Sequence, residues 1–201
     1  IKDLEGYENR KIESYKSLIT DKKGNLWAIK QEYVFLIDKN TMRVAKIFGP
    51  FTGSLETIYQ DSNLQFWLGS FGGGLMGFDP KSGGSFTVNL GATNTFVHSI
   101  TEWWDRHHNR WLVVGSDGGL IIVDPISLRS KEYTFQLGYS QDKTLSNNVV
   151  QYVFVDRQNI LWIGTDQGGV CYVRPSQQFF DLWNISNPDV TTAPVRDWIY
   201  S

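Results

Sequence analysis

The sequence has one cysteine and three histidines among its 201 residues. A lone thiol, Cys171, excludes an internal disulfide and any cysteine-cluster metal site. It sits in the apolar run GVCYV and is expected to serve as buried packing. No apolar run reaches the roughly eighteen residues of a membrane helix. No signal peptide is recognisable. The abrupt start, IKDLEGYENR, points to a processed protein or an excised piece, and no membrane contact is expected of this segment. A charge excess is missing too. Nineteen Lys and Arg stand against 21 Asp and Glu, for a formal net charge of −2. Such a chain offers no basic field to a phosphate backbone, so nucleic acid is not an expected partner. What is present is apolar mass: 41% hydrophobic and 14% aromatic residues, enough to bury a core.

The aromatics are spaced regularly. Asp21 precedes Trp27, Asp61 precedes Trp67, Asp105 precedes Trp111 and Asp156 precedes Trp162, each by six residues. The four tryptophans lie 40, 44 and 51 residues apart. A β-rich segment runs before each aspartate: YKSLIT, LETIYQ, SITEWW and VQYVFV. A glycine pair follows the tryptophan in three copies, at Gly73–Gly74, Gly118–Gly119 and Gly168–Gly169. A second apolar segment comes next, then Asp79–Pro80, Asp124–Pro125 or Arg174–Pro175, then a last strand-like segment such as GSFTV or QFFDLW.

One unit therefore reads strand, tight turn, strand, glycine turn, strand, proline turn, strand. Asp with Asn or Gly suits the first hairpin. Glycine supplies positive φ at the second turn, and proline presets the third. Four short strands in 40 to 50 residues are the signature of a β-propeller blade. The expected fold is all-β, about four four-stranded blades of a β-propeller, as a fragment of a larger seven- or eight-bladed one. The expected boundaries are a preceding tail over 1–13, a degenerate first blade over 14–50, and blades over 51–91, 92–138 and 139–186. Residues 187–201 are read as a linker and the first strand of a next blade. PVRDWIYS, 194–201, resembles NVVQYVFV and should be extended, beginning a fifth blade or pairing with a second chain. The first unit departs from the rule, with Tyr33–Val34 in place of Gly–Gly and Lys39 in place of Pro, and is expected to be a degenerate blade whose turn has a different shape.

A motif that recurs four times belongs to scaffold. The aspartates are expected to tie the hairpin turns, and the tryptophans to be buried between neighbouring blades. Trp162→Ala should then cost about 3–5 kcal/mol. FGGGLMG lacks the lysine and helix of a phosphate loop and reads as a blade turn.

LWIGTDQGGV and FWLGSFGGGLMGFDP, with SNNVVQYVFVDRQN upstream, resemble the two-component regulator propeller repeat over about residues 14–201. The resemblance implies an extracytoplasmic, periplasmic sensor region of a hybrid histidine kinase of the Bacteroidetes type. In that family the ligands are often polysaccharide breakdown products, and an immunoglobulin-like domain, membrane helix and kinase follow. In a bacterial protein the Asn184–Ile185–Ser186 sequon carries little meaning.

Three functions compete. The first is a non-catalytic sensor binding an oligosaccharide. The second is a protein-interaction scaffold. The third is a propeller enzyme similar to streptogramin lyases, which needs an acid–base pair and a metal. His107 and His108 are adjacent in one turn and suit solvent better than a metal, while His98 has no counterpart in another unit. No catalytic residue, metal or cofactor is expected. Ligand contacts are expected where units differ. At the second-to-third-strand turns these are Gln31, Phe71, Asp117 and Gln167; at the starts of the inner strands they are Tyr15, Glu56, His98 and Gln151. Phe71 and Tyr15 suit the face of a pyranose, and the polar groups suit its hydroxyls.

Overall fold

A computed structural model describes residues 15–91, 96–134 and 145–174. Every regular element among them is a β-strand. The chain divides into two compact units, residues 1–100 and 101–201, and the division falls inside one strand. The expected tail over 1–13, the outer strand of the fourth blade and residues 187–201 lie outside the described residues.

The first unit holds two four-stranded antiparallel sheets. The first is β1 (Ser17–Thr20), β2 (Leu26–Lys30), β3 (Tyr33–Asp38) and β4 (Arg43–Phe48), hydrogen-bonded in chain order. The second is β5 (Ser54–Gln60), β6 (Phe66–Phe71), β7 (Gly74–Phe78) and β8 (Ser85–Val88). Their facing sides share one core, in which Trp27, Ile29, Val34 and Phe48 meet Phe51, Leu55, Ile58, Phe66 and Phe78. The Trp27 ring lies 4.9 Å from Phe66 and 5.8 Å from Phe48. Burying rings of this size is the main favourable term holding one sheet on the next.

In the second unit the order is again sequential. One sheet joins β9 (Val97–Trp104), β10 (Arg110–Ser116), β11 (Leu120–Val123) and β12 (Ser130–Tyr133). The other has three described strands, β13 (Val150–Val155), β14 (Leu161–Thr165) and β15 (Gly169–Val173). Trp103, Trp111, Val113 and Ile122 pack against Val150, Val153, Leu161 and Ile163 in a shared core that also takes in Cys171. The two sheets are pinned at one end as well. The Trp103 indole donates to the Asn159 carbonyl at 2.9 Å, and the Asn159 amide donates to the Trp104 carbonyl at 2.6 Å.

The first sheet's irregular sequence changes one of its turns and leaves the other alike. The β2–β3 turn closes over Gln31 and Glu32, with Gln31 at φ 53°, and needs no glycine pair. The β3–β4 turn matches its counterparts although Lys39 replaces proline. Asp38 Oδ1 accepts the Asn40 and Thr41 N–H groups at 2.9 and 2.8 Å. Asp79 and Asp124 cap the following turns in the same way, through Lys81 at 3.0 Å and Ile126 at 2.9 Å. The side-chain cap of an Asx turn, rather than the fixed φ of proline, shapes this bend.

Candidate functional site

The interval of six residues between aspartate and tryptophan has a geometric cause. Each aspartate caps a β-hairpin turn with one carboxylate oxygen and holds an indole with the other. Asp21 Oδ1 accepts from the Lys23 and Asn25 N–H groups at 2.9 and 2.7 Å, while Oδ2 accepts from Trp27 Nε1 at 2.9 Å. The same three bonds recur at Asp61, with Asn63, Gln65 and Trp67 at 2.9, 2.9 and 3.0 Å. They recur at Asp105, with His107, Asn109 and Trp111 at 2.8, 2.8 and 3.1 Å. At Asp156 the partners are Gln158, Ile160 and Trp162, at 2.8, 2.9 and 2.9 Å. The residue three beyond each aspartate has positive φ: Gly24, Leu64, His108 and Asn159. His107 and His108 thus belong to an exposed, capped turn, where the Arg106 guanidinium donates to His107 Nε2 at 3.0 Å.

The tryptophans do not share one burial. Trp67, Trp27 and Trp111 are 1%, 4% and 8% exposed, but Trp162 is 37% exposed. The expectation of a buried Trp162 is therefore corrected. Trp27 and Trp111 are covered by the sheet that follows each of them within its unit, and no sheet follows β15 among the described residues.

These bonds also set the acid response. At Asp21 and Asp105, burial acts to raise the carboxyl pKa, but the indole, asparagine and backbone donors together outweigh it and the net shift is downward. At Asp156 the Trp162 indole N–H leads, followed by Ile160, and the pKa is again lowered. A depressed carboxyl contributes stability above the unfolded value, about 3.9, and loses it as pH falls through the folded value. Melting temperature should stay flat from neutral pH to about pH 5 and fall below about pH 4. Asp105→Asn should shrink that fall, and a pH profile unchanged by the substitution would contradict the assignment.

At the opposite end of the sheets the units differ. Gln31 presents its carbonyl to Leu55 N–H at 2.7 Å, and Glu32 presents its carbonyl to Phe51 N–H at 2.8 Å. The β2–β3 turn is thereby welded to the segment that leads into β5. Phe71 ends β6 and pairs with Ser54 across β5–β6. Its side chain is 56% exposed, and its ring centroid lies 3.9 Å from that of Phe96, with which it forms a backbone bridge. Two glycines hold the Phe71 turn against the leading segment. A Cβ on Gly73 would strike the Thr52 carbonyl, and one on Gly53 (φ 75°) would strike the Phe71 carbonyl. Phe71 is thus presented on a closely packed turn.

The inner-strand residues divide into those aimed outward and those absorbed into packing. Glu56 and Gln151 each sit at a register shift, between Leu55 and Thr57 and between Val150 and Tyr152. A β-bulge of this kind re-aims one side chain. Both residues lie five before their aspartates. Counting back in the same way reaches Lys16 and Ile100, so Lys16 is the residue that strand-start counting missed. Lys16 Nζ bonds Glu56 Oε2 at 2.7 Å, which brings the first two sheets together at this end. Tyr15 turns instead onto Phe35, ring centroids 5.3 Å apart and edge-on. His98 is half-buried within β9, two residues before Ile100. In the second unit Asp117 is half-buried in the β10–β11 turn, while Gln151 and Gln167 are exposed and Gln167 adopts φ 57°. The first unit therefore gathers Lys16, Gln31, Glu56 and Phe71 at one end, and Tyr15 belongs to the core. Among the described residues no group of three His, Cys, Asp or Glu side chains is placed to hold a metal.

Residues 144–167, which span β13 and β14 with their capped turn, match the family model for the two component regulator propeller. The match is confined to this stretch. Solved structures share the fold of this chain. The extracellular domain of the hybrid two component system BT3049 from B. thetaiotaomicron is 22% identical, with TM-score 0.64, over 86% of this chain and 22% of that one. The extracellular domain of BT4673 from the same organism is 18% identical, with TM-score 0.65, over 79% of this chain and 21% of that one. PorZ, a surface component of the type-IX secretion system of Porphyromonas gingivalis, is 19% identical, with TM-score 0.59, over 80% and 26%. The chain spans about a fifth to a quarter of the length of these structures. No curated protein matches the sequence.

Proposed function

We propose that this propeller is a two-component regulator propeller, part of the extracytoplasmic region of a two-component signalling protein, and that it binds an oligosaccharide there without catalysing a reaction. The observation that carries the reading is the exposed Phe71, on a clamped turn, at the same end of the sheets as the Lys16–Glu56 ion pair and Gln31. An exposed aromatic ring stacks on the apolar face of a pyranose, and charged and amide groups at the same end bond its hydroxyls. A site on rigid turns loses little entropy on binding. The periplasm is the proposed compartment, and a kinase elsewhere in the full protein is the proposed output. The relatives named as extracellular domains of two-component systems support both.

The histidines lend little to an enzyme. His107 and His108 lie at the hairpin end of β9–β10, and a metal-assisted reaction has no cluster of ligands among the described residues to use. A screen of short neutral oligosaccharides by thermal shift tests the reading. One sugar should raise the melting temperature, because a ligand bound only by the native state adds about 2.7 kcal/mol at a hundredfold excess over Kd. That sugar should be recovered intact. Cleavage of the bound sugar would replace the sensor with an enzyme, and a screen without any stabilising sugar would remove the ligand class.

A further inference from the structure

The charged pair at the inner strands is peculiar to the first unit. Lys16 and Glu56 lie five residues before Asp21 and Asp61, and the same count in the second unit reaches Ile100 and Gln151, which carry no charge. The sheets of both units form alike, so the pair does not belong to the repeated scaffold. Its two members are held differently. The Lys16 backbone N–H donates to the Ile29 carbonyl at 2.9 Å, but the side chain is 56% exposed. The Glu56 side chain is only 22% exposed and leaves β5 at the register shift between Leu55 and Thr57. Leu55, beside it, is bound to the Gln31 carbonyl, and Ser54, two residues away, pairs with Phe71. Lys30 and Glu32 stand at the β2–β3 turn and add one charge of each sign.

The ion pair joins Lys16 Nζ to one carboxylate oxygen, Glu56 Oε2, at 2.7 Å. An ammonium has three donors and a carboxylate two oxygens. The pair therefore still offers donors and an acceptor side by side. Neighbouring ring hydroxyls, each both donor and acceptor, match that combination. A sugar carboxylate does not. To reach Lys16 it must displace Glu56, which is too enclosed to turn freely into water. Two carboxylates would then share one site, an arrangement that disfavours the charged form of both. A sugar amine meets a lesser obstacle, because it can take Glu56 while the exposed Lys16 swings into solvent. We infer that Glu56 sets the charge class of the ligand, admitting uncharged sugars through its pair with Lys16 and rejecting acidic ones, an inference that rests on the oligosaccharide reading above. Specificity of this kind comes from a repulsive element as much as from attractive contacts.

The test uses the whole protein that carries this chain. It is titrated calorimetrically with tetrasaccharides of glucose and glucuronate, galactose and galacturonate, and mannose and mannuronate, each pair matched in linkage and differing only in the C6 carboxylate. The parent should bind a neutral sugar roughly tenfold or more tighter than its acidic partner. Glu56→Gln keeps the side-chain shape and frees Lys16, so it should erase or reverse that ratio, whereas Lys16→Met should keep it. Both variants should melt close to the parent, since a partly exposed ion pair contributes little to stability. A purely structural pair would change melting without changing the ratio. A ratio unaltered by Glu56→Gln would overturn the inference and leave the oligosaccharide reading standing, as would a parent that binds both members of a pair equally. Absence of binding to all six sugars counts against the oligosaccharide reading itself and takes this inference with it.

Discussion

Trp67→Ala is expected to remove about 3–5 kcal/mol of folding stability, the usual range for a large aromatic in a core. The indole is 1% exposed, sits edge-on to Phe86 at 6.0 Å and donates to Asp61 Oδ2 at 3.0 Å. Truncation opens a cavity and strips a donor from a carboxylate that is itself buried, and both effects destabilise. Trp162→Ala should cost clearly less than the 3–5 kcal/mol expected from repeat position alone, since much of that ring already meets water. Denaturant titration of the two variants measures the difference. Equal losses would mean that the four Asp–Trp pairs work through the turn alone and not through the packing of one sheet on another.

Gly53→Ala is the second large effect. At φ 75° a β-carbon costs roughly 1–2 kcal/mol by conformation alone. Here the added methyl also collides with the Phe71 carbonyl and comes within 2.8 Å of the Gly73 nitrogen, both backbone atoms that cannot swing aside. A loss above about 1 kcal/mol is expected, since alanine forced into an incompatible backbone destabilises by more than the roughly 0.4–1 kcal/mol a compatible site would gain. The same substitution displaces the turn that presents Phe71, so oligosaccharide affinity should fall with stability. Stability retained within about 0.5 kcal/mol, as for an ordinary surface change, would show that the leading segment and the turn are not clamped.

The blades were legible because their defining contacts are local. One carboxylate must reach the turn two and four residues on and an indole six residues on, so spacing and chemistry cannot drift apart. The Asx turn at Asp38 was equally present in the letters, but proline in the other units drew attention from the aspartate that does the capping. The candidate site was less legible. Whether Glu56 and Gln151 point outward depends on bulges, and a bulge shifts register without leaving a distinctive residue. Counting from apparent strand starts selected Tyr15 and His98, whereas counting back from the capping aspartate leads to Lys16 and Ile100. Phe71 was found because it breaks the repeat, but its partner Phe96 lies outside the repeated segments and its contact is non-local. The exposure of Trp162 was hidden for a further reason: burial of a blade face is a property of the neighbouring sheet, not of the residue.

Calorimetric titration of a stabilising oligosaccharide against the parent and Phe71→Ala tests the account most directly. Phe71 is exposed and the four Asp–Trp staples do not involve it, so its removal should leave the melting temperature within a degree or two, as for surface substitutions generally. Affinity should drop at least tenfold, about 1.4 kcal/mol, as expected for a lost stacking ring. Unchanged affinity in a variant of unchanged stability would contradict the placement of the ligand on this end of the first unit.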